Sequence, residues 1–295
     1  MSRKIQFKGT GVALVTPFHK DGSIDFKSLK KVVDHVIVGG VDYVVVLGTT
    51  GETVTLNKDE KHAVVDYVIE MADNRVPVVL GIGGCSTQDI VNTIKDTDFE
   101  NIDAVLSVSP YYNKPSQRGI YLHYKTIANI SPVPVIVYNV PGRTASNITA
   151  ETTLKLSEEL ENIIAVKEAS GNLFQCMEIL KHKPKDFLMI SGDDMLTYPL
   201  LALGAEGVIS VAANAFPKEF SDMVQNAFKG NWNKARELHF KLLEIMDLLI
   251  AEGNPAGIKA SLEIVKIATD NLRLPLTSVS KPTYNKIAGV IAEMK

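Results

Sequence analysis

The chain has 295 residues, 45% of them hydrophobic, with a formal net charge of −3 and two cysteines. Such a chain can bury a large core in one or two domains, and it carries no basic stripe for nucleic acid or an acidic membrane surface. No apolar run approaches the ~18 residues of a membrane span, the start M-S-R-K-I-Q-F-K has no apolar core of signal-peptide length, and Cys85 and Cys176 lack metal-type spacing, so a soluble cytoplasmic protein is expected.

Taken in chain order, short apolar runs bounded by turn residues read as strands buried on both faces. They fall at residues 12–16, 43–47, 78–82, 104–108, 135–138, 163–167, 187–191 and 208–211. Between them lie stretches of helical period. Residues 26–37 place Leu29, Val33 and Val36 on one face, and 60–71 gather Ala63, Val64, Tyr67 and Val68. Residues 148–160 and 173–180 fit the same period. The alternation recurs about every 27 residues, as βα units do. Eight such units close most naturally into a (β/α)8 TIM barrel of class α/β. An open doubly wound sheet is the weaker alternative, because no G-x-G-x-x-G follows the first strand. From about Phe216 the pattern becomes helix after helix, over 218–228, 233–251, 256–269 and 283–293. The expected division is a catalytic barrel over 1–225 and a C-terminal helical extension over 226–295, serving packing, assembly or both.

Barrel chemistry sits at the carboxyl ends of the strands, and those ends are rich in reactive residues. The second ends Gly48-Thr49-Thr50-Gly51-Glu52, the fourth Ser109-Pro110-Tyr111-Tyr112-Asn113, and the fifth Tyr138-Asn139-Val140-Pro141-Gly142-Arg143-Thr144. The sixth is I-I-A-V-K-E-A-S, where four apolar residues lead into Lys167. Lysine is almost never fully buried unless paired or used. Each feature also has a plain reading: a snorkelling Lys167, a core Tyr138, a solvated Arg143, turn glycines at Gly48 and Gly51. Asp193 and Asp194 bring a metal to mind, yet the six histidines are scattered without ligand spacing. Thr49 and Thr50 offer hydroxyls and amides for a carboxylate. Together the set suits Schiff-base chemistry on a small keto acid. An unperturbed lysine is neutral in only about one molecule in a thousand near pH 7.4. Desolvation toward ~7–8 would raise the free amine by ~2.5 powers of ten, worth roughly 3–4 kcal/mol.

These residues carry a specific resemblance. G-T-T-G-E at 48–52, S-P-Y-Y-N-K-P at 109–115, Y-N-V-P-G-R-T at 138–144, V-K-E-A-S at 166–170, S-G-D-D at 191–194 and G-V-I-S-V at 207–211 are similar to the dihydrodipicolinate synthase family. That family belongs to the pyruvate-dependent class I aldolases, which include N-acetylneuraminate lyase, and the likeness runs nearly end to end. It implies that Lys167 forms an imine with pyruvate and that Tyr138, Thr50 and Tyr112 form a proton relay. The residue like Tyr112 reaches into a neighbouring subunit, which implies a homo-oligomer, usually a tetramer built as a dimer of dimers. Thr49 and Thr50 would hold the pyruvate carboxylate, and Arg143 that of L-aspartate 4-semialdehyde. Gly192 and Ile209 would contact the imine through backbone. No metal or organic cofactor is implied. The alternatives are cleavage of a sialic or other sugar acid and, outside enzymes, a keto-acid-binding sensor barrel.

Two departures stand out. The family's N-P-x-P-x-K reads Asn254-Pro255-Ala256-Gly257-Ile258-Lys259, with glycine for the second proline, and the segment is expected to be distal from the chemistry. Gly142 replaces a frequent serine. Feedback-inhibited members bind lysine in a second pocket, whose matched positions here are Lys58, Lys61, Cys85, Asp89 and Tyr111. Lys58 and Lys61 would set like charges against the ligand's ammonium, and Cys85 removes an amide acceptor, so weak or absent inhibition by lysine is expected.

Overall fold

In the computed structural model, which describes residues 7–294, eight parallel strands close into a barrel in the order of the sequence. They are β1 (Gly9–Ala13), β2 (Tyr43–Val46), β3 (Val78–Gly81), β4 (Ala104–Val108), β5 (Val135–Asn139), β6 (Ile163–Glu168), β7 (Leu188–Ser191) and β8 (Gly207–Ser210). Valine and isoleucine dominate because both faces are covered. Val44, Val46, Val105 and Val137 pack outward under the helices. Val45, Leu106, Ile136 and Ile190 fill the barrel interior. Phe7 closes the interior edge-to-face on Tyr43, with ring centroids 5.6 Å apart.

Around the barrel run α1 (Phe26–Val38), α2 (Lys58–Ala72), α3 (Thr87–Asp96), α4 (Gln117–Ile130), α5 (Pro141–Thr144), α6 (Ala150–Glu159), α7 (Leu173–His182), α8 (Thr197–Ala202) and α9 (Pro217–Phe228). Short polar residues start most of them. Asp25, Ser86, Ser116, Thr149 and Asn172 each accept a first-turn amide, and Asn57 forms a capping box with Glu60. Each such cap is worth about 1 kcal/mol. Three further helices, α10 (Trp232–Ile250), α11 (Ala256–Ile264) and α12 (Lys281–Glu293), form the extension. Helix α9 packs on β1 and α1 and so completes the outer ring. We therefore propose that the barrel unit runs through α9 and the extension begins after it.

Three sequence expectations need correction. The first strand lies at Gly9–Ala13 and not at 12–16. Gly9 and Gly11 hide its start, and beyond Leu14, which donates to the Val45 carbonyl, the Val15 amide turns away to Asn214 Oδ1 at 3.1 Å. The helix expected over 256–269 stops at Ile264, because Lys266 adopts φ 65°. Helices α3, α4 and α8 add to the expected set: α3 buries Ile90, Val91 and Ile94, α4 buries Ile120, Tyr124 and Ile127, and α8 has only 6 residues.

Candidate active site

The position of Lys167 depends on one extra residue. Val135 pairs with Ile163, but Ile136 pairs with Ala165, so Ile164 is a bulge between them. A strand alternates faces with period two, so one inserted residue reverses every side chain beyond it. Ile163 and Val166 face outward, while Ile164 and Ala165 both face the interior. The bulge thus brings Lys167 inward, opposite Tyr138 on β5. Lys167 is only 5% exposed, and its Nζ lies 4.2 Å from the centroid of the Tyr138 ring. No carboxylate of the described residues pairs with it.

The next rung is made of neutral partners. Glu168 is buried and accepts Asn139 Nδ2 and Gln175 Nε2, each at 3.0 Å, and the Ser170 amide at 2.7 Å. Its charge is met by amides, which leaves the amine of Lys167 uncommitted while locking β5 to β6 at their ends. Gly192 completes the clearance. A Cβ there would lie 3.1 Å from Lys167 Cε and 2.7 Å from Ala169 Cβ.

After β2 the chain forms a 3-10 turn over Thr49–Gly51, and Glu52 follows in the left-handed region at φ 53°. Thr16 Oγ1 donates to the Gly51 carbonyl at 2.7 Å, holding the turn to the end of β1. Thr50 is buried, and its Oγ1 accepts Asn254 Nδ2 at 3.0 Å. Beside it the fully buried Glu52 pairs with Lys259, and the Arg273 amide donates to Glu52 Oε2 at 3.1 Å. Burial pushes the Lys259 ammonium down to about 8, with Glu52 opposing the shift. The segment 254–259 therefore touches the site directly, which corrects its reading as distal. Its glycine also has a reason: a Cβ on Gly257 would meet the Leu249 carbonyl oxygen at 2.4 Å.

One open cavity of about 1250 Å³ joins Thr49, Thr50, Tyr138, Arg143, Lys167 and Gly192. Arg143 is exposed on the short α5, started by Pro141 at its first turn, and no carboxylate of the described residues pairs with it. The cavity continues to Lys58, Lys61, Cys85, Asp89 and Tyr111. At that end Lys58 pairs with Asp96 at 3.2 Å, so one of the two expected like charges is partly neutralised. The Cys85 thiol donates to the Tyr111 carbonyl at 3.2 Å, and burial with the adjacent thiol raises the Tyr111 phenol. Two expected residues are not in the lining. Ile209 is sealed in the barrel interior. Tyr112 stands 91% exposed at φ 71°, away from its own cavity.

Asp193 and Asp194 hold backbone. Asp193 Oδ1 accepts the Met195 and Leu196 amides, and Asp194 Oδ2 accepts those of Val211 and Ala212 at 3.0 and 2.8 Å. Burial lifts the Asp194 carboxyl to about 6. Among the described residues no group of three or more His, Cys, Asp or Glu converges as a metal site would, and no helix is long and apolar enough to cross a membrane.

The sequence pattern of the Dihydrodipicolinate synthetase family matches residues 6–294. The chain belongs to that family. It is 52% identical over 290 residues to the 4-hydroxy-tetrahydrodipicolinate synthase of Parabacteroides distasonis, covering 98% of each chain. Its fold superposes on the dihydrodipicolinate synthase of Thermotoga maritima with a TM-score of 0.96 at 38% identity, over 98% of this chain and 99% of that one. The enzyme from Cyanidioschyzon merolae, crystallised with lysine bound, gives 0.94 at 37% identity over 98% of both.

For this dihydrodipicolinate synthetase family member, the sequence places Lys167, Tyr138, Thr49, Thr50, Arg143 and Gly192 at strand ends, and the structure brings them to one cavity. Sequence reasoning missed Asn254, although the motif containing it was in view, because helical period says nothing about where a distant turn returns. It also missed the Asn139–Glu168–Gln175 network. Glu168 beside Lys167 was the available signal, and the bulge at Ile164 that decides which of the two faces inward was not.

Proposed function

We propose that this chain condenses pyruvate with L-aspartate 4-semialdehyde to 4-hydroxy-tetrahydrodipicolinate, as the names of its relatives describe for them. The observation that carries the reading is Lys167, buried at the barrel mouth, unpaired and set against Tyr138. Lys167 Nζ adds to the pyruvate C2 carbonyl, and the carbinolamine loses water to give the imine. Loss of a C3 proton forms the enamine, whose C3 attacks the aldehyde of the second substrate. The substrate amine then closes onto C2 and displaces Lys167, so one water is released overall. Tyr138 moves the protons at C2, with Thr50 handing them on.

Arg143 supports an acidic second substrate over a sugar, because an unpaired guanidinium offers a bidentate site for a carboxylate. Thr49 and Thr50 supply the pyruvate carboxylate site. The exposed, left-handed Tyr112 supports a homodimer in which it enters the cavity of a neighbouring copy, and tetramers of two such dimers follow from the family resemblance. Borohydride reduction in the presence of pyruvate tests the reading. A covalent adduct on the peptide carrying Lys167 is expected, with turnover of the semialdehyde and none of sialic acid. An unlabelled protein would exclude the scheme.

A further inference from the structure

The contact between Asn254 and Thr50 joins the connection after α10 to the turn after β2, across 204 residues of sequence. A threonine hydroxyl has one proton to donate and two lone pairs to accept with. An amide nitrogen only donates. Asn254 Nδ2, at 3.0 Å from Thr50 Oγ1, therefore fills one lone pair and leaves one O–H and one lone pair free. That remainder is the polarity a hydroxyl needs to accept from one phenol while donating to the next.

We propose that Asn254 is a positioning residue that fixes the direction in which Thr50 passes its proton. This rests on the assignment of Thr50 to the proton relay under the proposed function. Two further observations support it. Asn254 Oδ1 is sealed from solvent and has no hydrogen-bond partner. A buried amide oxygen left unpaired is an expense the fold tolerates where the other end of the amide is in use. The surrounding chain is also anchored, since Lys259 pairs with Glu52, two residues beyond Thr50, and the Arg273 amide donates to the same carboxylate. The amide and the hydroxyl are held by segments that cannot drift apart independently.

The test is a set of variants in the full-length protein: Asn254→Asp, Asn254→Ser, Asn254→Ala, Thr50→Val, and Asn254→Ala combined with Thr50→Val. Asn254→Asp keeps the shape and exchanges the donor for an acceptor, which draws the Thr50 proton out of the relay. It should lower kcat by about 10–100-fold, leave the pyruvate KM within about twofold, and displace the pH profile of kcat. Asn254→Ser keeps a donor and should retain more activity than Asn254→Ala. In the combined variant the asparagine change should add nothing to the loss from Thr50→Val. Full kcat in Asn254→Asp, or losses that multiply in the combined variant, would overturn the proposal. Asn254→Ser guards against a folding defect in the aspartate variant: if it too loses all activity and its cooperative thermal transition, a structural role replaces the positioning one. Borohydride trapping of pyruvate on the unaltered protein reports the parent reading alone, so its failure is distinguishable from that of Asn254.

Discussion

The two ends of the cavity are built from different parts of the fold. At the Lys167 end, side chains come from β5, β6 and the turn after β2, and the groups behind them are largely buried and hydrogen-bonded, Asn254 Oδ1 excepted. At the Lys58 end they come from the start of α2, from α3 and from the loops after β3 and β4, where charges meet in an exposed pair such as Lys58–Asp96. A barrel rim excludes water and fixes its side chains within strands, so electrostatic effects there are large. Helix starts facing solvent are screened, and a pair between two exposed chains is worth about 0–1 kcal/mol. One continuous cavity thus has an end built on strands and an end built on helices and loops, and changes at the first should cost far more.

That contrast is open to direct attack. Lys167→Ala should abolish borohydride trapping and cut kcat by at least about a thousandfold. Residual trapping elsewhere on the chain would move the chemistry away from β6. Tyr138→Phe removes only the phenolic oxygen and should cost about 100–1000-fold in kcat, with the pyruvate adduct still slowly formed. A kcat within tenfold of the unaltered protein would leave Tyr138 as mere packing. Arg143→Ala should raise the KM for aspartate semialdehyde about 10–100-fold and that for pyruvate little; equal effects would contradict its assignment.

Two smaller effects probe the Lys58 end. The Arg273 guanidinium, from the extension, holds Glu60 at the start of α2 down at about 2, below the unfolded value near 4.5. A depressed folded pKa gives stability that is present above the unfolded value and is lost as pH falls toward the folded one. Urea midpoints should therefore decline between about pH 4.5 and 2, and in Glu60→Gln this part of the decline should be missing. An unchanged acid slope would show that the pair is immaterial. The smallest effect is expected from lysine itself. With Lys61 in the lining and in no ion pair among the described residues, half-inhibition should need more than about 1 mM ligand. A titration of initial rate that gives tighter inhibition would mean that Asp89 outweighs the lysines.

The alternation of apolar runs with amphipathic stretches determined the barrel, because double-sided burial and a period of 3.6 are written in local composition. The same local rule placed Lys167, Tyr138, the Thr49–Thr50 pair and Arg143 at strand ends, and six motifs in order carried the family. Three matters were decided only in three dimensions. Which way Lys167 points depends on the bulge at Ile164, and a one-residue register choice leaves no trace in an apolar run where every residue suits either face. Where Asn254 sits depends on the return of the chain after α10 to a turn 204 residues earlier, a distance at which sequence spacing carries no geometric information. How Tyr112 stands out from its own cavity, 91% exposed at φ 71°, depends on the loop after β4, since the direction of a loop side chain at positive φ is set by the packing of the loop on the barrel and not by residue type.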